Sequence, residues 1–341
     1  MVDAYPGHRE VVPSSLLFLV MAGAGCADVH LVSNDPKDSS IVSAMAAAGM
    51  APGVSSEPPT NSTPCVKHIL IQTTWPKLKP NDHLKAWYQL ALRCASNVYF
   101  GCHNDLSCMT RDSEEALRQH LPGISFVIFK YGVSSRELQR RRAPNFLPIF
   151  MPSVQESAGF ARNHYTVFGS VMFDKRDYDL LATLDPPEPV QITVFGSCKM
   201  HEQCNKLQAL ERRSNVRLIH ERGSFRVMMD VIRETGWVLP LISERVARAD
   251  EYASCAKMSS SISLAIAYSR PLVAWHPLLK MLGLAQISYA NADSIHDAVV
   301  RSLRASAADI AAFRAELSEK RRQILCTNMA TASTLGMQMR S

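Results

Sequence analysis

The sequence predicts an α/β protein of two blocks, each built on a parallel sheet. Three observations lead there. Short apolar runs rich in Val and Ile alternate almost throughout with amphipathic stretches of helical length, the rhythm of βαβ units. Several runs, such as Ile192-Thr193-Val194-Phe195 and Trp237-Val238-Leu239-Pro240-Leu241-Ile242, do not alternate with polar residues, as strands covered on both faces would not. A polar stretch over residues 152–162 divides the pattern, giving expected domains at 1–155 and 160–330 of the 341 residues.

In the first block, residues 14–25 read as a helix, 28–32 as a strand and 40–48 as a helix that Gly49 stops. Residues 51–64, rich in Pro, Ser and Thr, read as a surface loop. A strand follows over 68–72, a helix over 82–95, a strand over 97–100, a helix over 113–120, and strands over 125–129 and 147–150. In the second block the expected strands are 165–168, 191–195, 216–220, 237–242, 272–275 and 287–289. The helices between them cover 176–183, 202–212, 225–234, 259–268, 276–283 and 294–303, and a long alanine-rich helix closes the block over 307–325.

Hydrophobic residues make up 47% and charged residues 20%, which excludes disorder as the dominant state. The net charge is +6, yet the first 60 residues hold six acidic and two basic side chains, so the remainder carries +10. That excess suits a small phosphate-bearing ligand and is thin for a nucleic-acid binder. Arg140-Arg141-Arg142 is the strongest basic run, read as a solvated face.

The nine cysteines are scattered; Cys102 and Cys108, like Cys198 and Cys204, stand six apart, too far for a short zinc-type pair. Free buried thiols in a reducing compartment are the expectation. The apolar run after Ser15 falls short of the roughly 20 residues a membrane span needs, and Asp3, Arg9 and Glu10 give no basic lead-in for a signal peptide. A soluble cytoplasmic protein is expected.

One local repeat stands out. Thr166-Val167-Phe168-Gly169-Ser170 recurs as Thr193-Val194-Phe195-Gly196-Ser197, one βα unit later. Two readings fit the repeat: parallel strands that end in Gly-Ser look alike, or Gly lets a ligand approach the backbone at both strand ends. Ligands of open α/β sheets sit beyond the carboxyl ends of the strands, so both readings place these residues near a site.

The stretch from Lys257 through Ser259-Ser260-Ser261 to Ser269-Arg270-Pro271-Leu272-Val273-Ala274 resembles the nucleotide-sugar segment of GT-B glycosyltransferases of the family 1/4 type. Phe168-Gly169-Ser170 with Lys175-Arg176-Asp177-Tyr178 is similar to the first strand and loop of their C-terminal domain. The resemblance covers roughly residues 160–330. It implies two Rossmann-like domains whose parallel sheets face across a cleft, the first on the acceptor side and the second holding a nucleotide-sugar. It also implies a chain already at its first loop, Tyr5-Pro6-Gly7-His8-Arg9, with no strand before it, as in an N-terminally truncated member. Retaining members carry Glu-x7-Glu around the nucleotide-sugar helix; the corresponding positions here are Ala256 and Leu264, so both carboxylates are missing.

The residues themselves support a phosphate site. A helix starting near Ser259 presents unpaired N–H groups and a positive dipole end. Lys257 and Arg176 would neutralise a diphosphate, and Gly169, Ser170, Gly196 and Ser197 lie on the strand ends. His220 and Glu221 end the strand where the resemblance implies nucleobase contacts, and Tyr252 is read either as a half-buried structural tyrosine or as a residue that bonds sugar or phosphate. For the base that deprotonates an acceptor hydroxyl, the candidates are His103, at a strand end, and His8. No paired Asp stands at a strand end, so no metal is expected, nor any cofactor beyond the nucleotide-sugar substrate. No P-loop, G-x-G-x-x-G or Ser/His/Asp pattern occurs. The function expected is metal-independent transfer of a sugar from a nucleotide-diphosphate donor to an acceptor of unknown identity. A catalytically degenerate module binding nucleotide, sugar or protein is the alternative, and a sugar epimerase of the same two-domain architecture a third.

Overall fold

The structure, a computed structural model, describes residues 2–3, 30–33, 53–55, 59–65, 68–72, 82–94, 96–103, 115, 119, 125–129, 145–147, 160–169, 171–198, 200–210, 216–221, 225–247, 249–254 and 259–334. The chain divides into two compact units, Met1–Met151 with Ile324–Ser341, and Pro152–Gln323.

The first unit is a parallel sheet of β1 (Val2–Asp3), β2 (His30–Ser33), β3 (Gly53–Ser55), β4 (His68–Gln72), β5 (Asn97–His103), β6 (Ser125–Phe129) and β7 (Asn145–Phe146). Its order is β3-β2-β1-β4-β5-β6-β7, the doubly wound order, in which the winding reverses between β1 and β4. Three expectations are corrected here. A strand does precede Tyr5: Val2 pairs with Val32 on one side and with Ile71 on the other. Within the expected surface loop, β3 pairs with β2 through Leu31 and Val54. The last strand falls on Asn145–Phe146, and Leu147 lies outside it. The helix α1 (Asp82–Cys94) keeps its expected start and ends one residue early, its final residue in a disulfide.

The second unit repeats the winding. Strands β8 (His164–Phe168), β9 (Val190–Phe195), β10 (Val216–Glu221) and β11 (Trp237–Val238) lie in the order β10-β9-β8-β11, all parallel. A parallel bridge from Val238 to Leu272 leads on to β12 (Val273–Trp275) and β13 (Ile287–Tyr289). The reversal falls between β8 and β11. The helices are α2 (His201–Ala209), α3 (Phe225–Glu234), α4 (Ala249–Ala253), α5 (Ser260–Tyr268), α6 (His276–Leu282), α7 (Ile295–Arg304) and α8 (Ala307–Thr334). Tyr165, Val167, Ile192, Val194, Trp237, Leu239, Ile262 and Ile266 form the core between sheet and helices.

Further expectations change in this unit. The run 237–242 is a strand only over Trp237–Val238, although all of it is buried. Leu239 N still donates to Thr166 O at 2.9 Å, but Pro240 has no N–H and Leu241 turns to φ +53°, so the ladder stops. The expected helix over 176–183 is a 3-10 turn, Tyr178–Thr183, that excludes Arg176. Helix α8 runs past its expected end; in the first unit its Asn328 accepts from Leu147 N at 2.8 Å and donates to Leu147 O at 3.0 Å.

The cysteines correct the free-thiol expectation. Cys65 is bonded to Cys94 and Cys198 to Cys204, while Cys326 is a free, exposed thiol. The spacing of six at Cys198 and Cys204 is thus a short disulfide ring between a strand end and a helix start. Among the described residues no helix is long and apolar enough to cross a membrane.

Candidate functional site

The site is built at the carboxyl end of β8, beside the reversal of the sheet, where open α/β sheets leave a crevice. Strands β8 and β9 pair in register from His164↔Gln191 to Phe168↔Phe195, so the repeated Thr-Val-Phe-Gly segments are nearest neighbours. Pairing continues past both strands: Gly169 N donates to Phe195 O and Val171 N to Ser197 O, each at 2.9 Å.

At Gly169 the backbone takes φ +116°, which favours glycine. A methyl there would also press on the Arg176 guanidinium and come within 2.8 Å of Ser260 Oγ. The arginine is buried, at 6% exposure, and its Nη2 donates to Phe168 O at 2.6 Å and to Ser260 Oγ at 3.3 Å. Ser261 Oγ donates to the same carbonyl at 2.8 Å and accepts from Phe168 N at 3.0 Å. Ser260 Oγ also reaches that carbonyl, at 3.2 Å. Arg176, Ser260 and Ser261 thus fasten the start of α5 to the end of β8, so these hydroxyls are engaged with protein groups. Next to Arg176, Asp177 accepts from Ser243 Oγ at 2.6 Å, and its N–H donates to Leu241 O at 2.7 Å. The turn after β11 is thereby held against the same corner. Burial raises the phenol of Tyr178 above its ordinary range, opposed in part by the Arg176 charge.

Helix α5 opens on this corner. Ser259 O accepts from Ile262 N at 3.0 Å and Ser263 N at 3.2 Å, so helical bonding starts at Ser259. The first N–H groups of any α-helix lack an intrahelical acceptor. Here the Ser259 side chain makes no capping bond, although Ser is among the best caps. Its hydroxyl is buried, at 4% exposure, and has no hydrogen-bond partner among the described residues. An unsatisfied buried hydroxyl costs about 1–3 kcal/mol, which an incoming acceptor oxygen would relieve. The helix N-terminus favours a negative charge on that oxygen.

The other expected residues fall as follows. Gly196 and Ser197 continue the pairing after β9, and His220 Nε2 donates to Gly196 O at 2.9 Å. Glu221 closes β10. Tyr252 is buried within the short helix α4. His103 is the last residue of β5 in the first unit, three residues beyond the strand end expected. His8, Ser170, Lys257 and the run Arg140-Arg141-Arg142 lie outside the described residues. Among the described residues no group of three or more His, Cys, Asp or Glu side chains gathers as it would around a metal ion. Sequence reasoning missed Phe168, whose backbone gathers the corner, because a strand-end carbonyl carries no side-chain signal. It also missed the contact of Asp177 with Ser243, since the two stand far apart in sequence.

No protein-family model and no curated protein matches the sequence. Among solved structures, the N-terminal domain of Candida albicans trehalose-6-phosphate phosphatase is similar at 12% identity, covering 98% of this chain and 94% of that one, with a TM-score of 0.49. The UDP-GlcNAc 2-epimerase of Neisseria meningitidis bound to UDP-GlcNAc is similar at 9% identity, covering 99% of this chain and 98% of that one, with a TM-score of 0.47. At such scores and identities neither likeness assigns a fold or an activity to this chain.

Proposed function

We propose that the second unit binds the diphosphate of a nucleotide-sugar at the start of α5, and that the protein transfers the sugar to an acceptor hydroxyl. The observation that carries this reading is the buried, unpartnered Ser259 hydroxyl at an uncapped helix start, beside the reversal of a parallel sheet. The helix N–H groups and Ser259 would hold one phosphate. Lys257, two residues earlier in sequence, would add charge, and Arg176 would act from behind by fixing the helix start to Phe168. Helix and cations together would stabilise the leaving diphosphate without a metal. His103 is the proposed base, with His8 as its rival. Tyr252 and the strand ends at Gly196, Ser197, His220 and Glu221 complete the proposed donor side.

A second reading, a binding module without turnover, is favoured by one observation. Leu264, where the resemblance implies a catalytic carboxylate, is buried in α5 at 1% exposure, so that position serves the core. As for compartment, a cytoplasmic home would keep both disulfides reduced.

The test is turnover of labelled UDP-, GDP- and ADP-sugars by wild type and by His103→Ala. Transfer predicts sugar release from one donor, lost by about 10²–10⁴-fold in His103→Ala with donor affinity kept. Donor binding without release from any of them would establish the module instead. No binding would end both readings.

A further inference from the structure

The Cys198–Cys204 disulfide lies outside the diphosphate corner but on the same pair of strand ends. Cys198 bridges Val171 in parallel register, two residues beyond Gly196 on one strand and Gly169 on the other. Cys204 stands in the first turn of α2, its N–H donating to Met200 O at 3.0 Å. The bond therefore pins the connection from β9 to α2 at both ends, across a separation of 6 residues. Both cysteines are partly exposed, within reach of a reductant, and Met200 between them is 53% exposed.

The other described disulfide supplies the contrast. Cys65–Cys94 ties a loop to the end of α1 in the first unit, across a separation of 29 residues. Arg93 holds that loop as well, donating to Thr63 O at 3.0 Å and Thr60 O at 3.4 Å.

We propose that Cys198 and Cys204 are a redox-modification site, opened by a dithiol reductant, whose closed form orders the strand-end loops for the nucleotide. The nucleotide half of this inference rests on the proposed donor site. In the opening step a reductant thiolate attacks Cys198 Sγ, and the Cys198–Cys204 bond breaks. Cys204 leaves as a thiolate in the first turn of α2, where a helix start favours negative charge, and is then protonated. The second reductant thiol attacks its own sulfur in the mixed disulfide and releases Cys198, which is protonated in turn. Two electrons and two protons pass from the dithiol, which ends as its own disulfide. With the ring open, the residues between Cys198 and Cys204 regain conformational freedom, and binding beside the paired strand end at Gly196 and Ser197 must order that connection as well.

The experiment uses the full chain, oxidised or treated with dithiothreitol. UDP, GDP and ADP are titrated calorimetrically, and amide hydrogen exchange is followed over residues 197–207. Reduction is expected to speed exchange there and to weaken the best-bound diphosphate about tenfold, roughly 1.4 kcal/mol. Cys198→Ser/Cys204→Ser should behave as the reduced form and ignore dithiothreitol, whereas Cys65→Ser/Cys94→Ser should keep the full response. Unchanged exchange on reduction would overturn the redox site. Faster exchange with unchanged affinity would overturn its coupling to the nucleotide. If no diphosphate binds in either state the donor reading falls, and exchange alone then decides the redox site.

Discussion

Thr166-Val167-Phe168-Gly169 and Thr193-Val194-Phe195-Gly196 are the same residues on adjacent strands, yet they end in different surroundings. Within the strands, Thr166 Oγ1 lies 2.6 Å from Thr235 Oγ1, which itself donates to Val231 O at 2.8 Å. Thr193 Oγ1 lies 2.9 Å from His164 Nε2. Beyond the strands, Gly169 lies against Arg176 and the start of α5, whereas Gly196 offers its carbonyl to His220. The cause is position in the sheet. β9 is flanked by β8 and β10, all wound in one direction, but β8 has β11 on its other side, across the reversal. Helix α5 can therefore open on the end of β8. Equal sequence makes equal strands; the neighbours brought by topology set Gly169 against Arg176 and the start of α5, and Gly196 against His220.

The largest expected effect breaks the first end. Gly169→Ala combines a left-handed φ with a methyl pressed on Arg176, and should cost about 2–4 kcal/mol in denaturant unfolding. His220→Ala, at the other end, removes one hydrogen bond and should cost about 0.5–1.5 kcal/mol. Equal losses would erase the distinction between the ends. Arg176→Met should come next, at about 1.5–3 kcal/mol, because it removes a buried charged donor to Phe168 O. Arg176→Lys should recover part of this, since the bonds to Phe168 O and Ser260 Oγ both come from the one nitrogen Nη2 and an ammonium can donate to the same carbonyl. Thr166→Val and Thr193→Val, the matched pair inside the strands, should each cost about 1 kcal/mol. A Thr166 loss near zero would show that the Thr235 link contributes nothing.

The smallest effect at neutral pH concerns Tyr165, whose register partner on β9 is Ile192. Burial raises the Tyr165 phenol well above its ordinary value near 10, opposed in part by its hydrogen bond with Ser302. Above pH 10 the unfolded chain loses this proton while the folded chain keeps it. The folded state then binds more protons, so stability falls as pH rises, by about 1.4 kcal/mol per unit. Tyr165→Phe should remove that share of the alkaline slope in unfolding measured at pH 10–12, and an unchanged slope would refute the assignment.

The sheet was largely legible in the sequence, because buried parallel strands are apolar runs of a few residues. β4, β6, β13 and α3 fall on the residues expected. Where pairing depends on a partner distant in sequence, the run alone misleads. Val2–Asp3 is too short to stand out, and Gly53–Ser55 hides in a Pro- and Ser-rich stretch until β2 lies beside it. Residues 239–242 are as apolar as a strand but turn at Pro240 and Leu241 to meet Asp177 and Ser243. The cysteine pairs were hidden for the same reason, since Cys65 and Cys94 meet only once α1 has folded. At the site, the residue types pointed to Arg176 and the serines. Their fastening to Phe168 O could not be foreseen, because a backbone carbonyl looks alike in every residue. The repeat at Thr166 and Thr193 carried more than its spacing suggested, as it marks the register of two neighbouring strands.

The proposed donor site places a diphosphate at the uncapped start of α5, against the buried Ser259 hydroxyl. Its most direct test is a thermal-shift titration of wild type and Ser259→Ala with UDP, GDP and ADP. Saturation at about 100 times Kd adds roughly 2.7 kcal/mol to the stability of a protein that binds only when folded. Diphosphate binding at this helix start gives such a shift in wild type with one of the three, and a clearly smaller one in Ser259→Ala at the same concentration. No shift with any diphosphate, or an equal shift in both proteins, would contradict it.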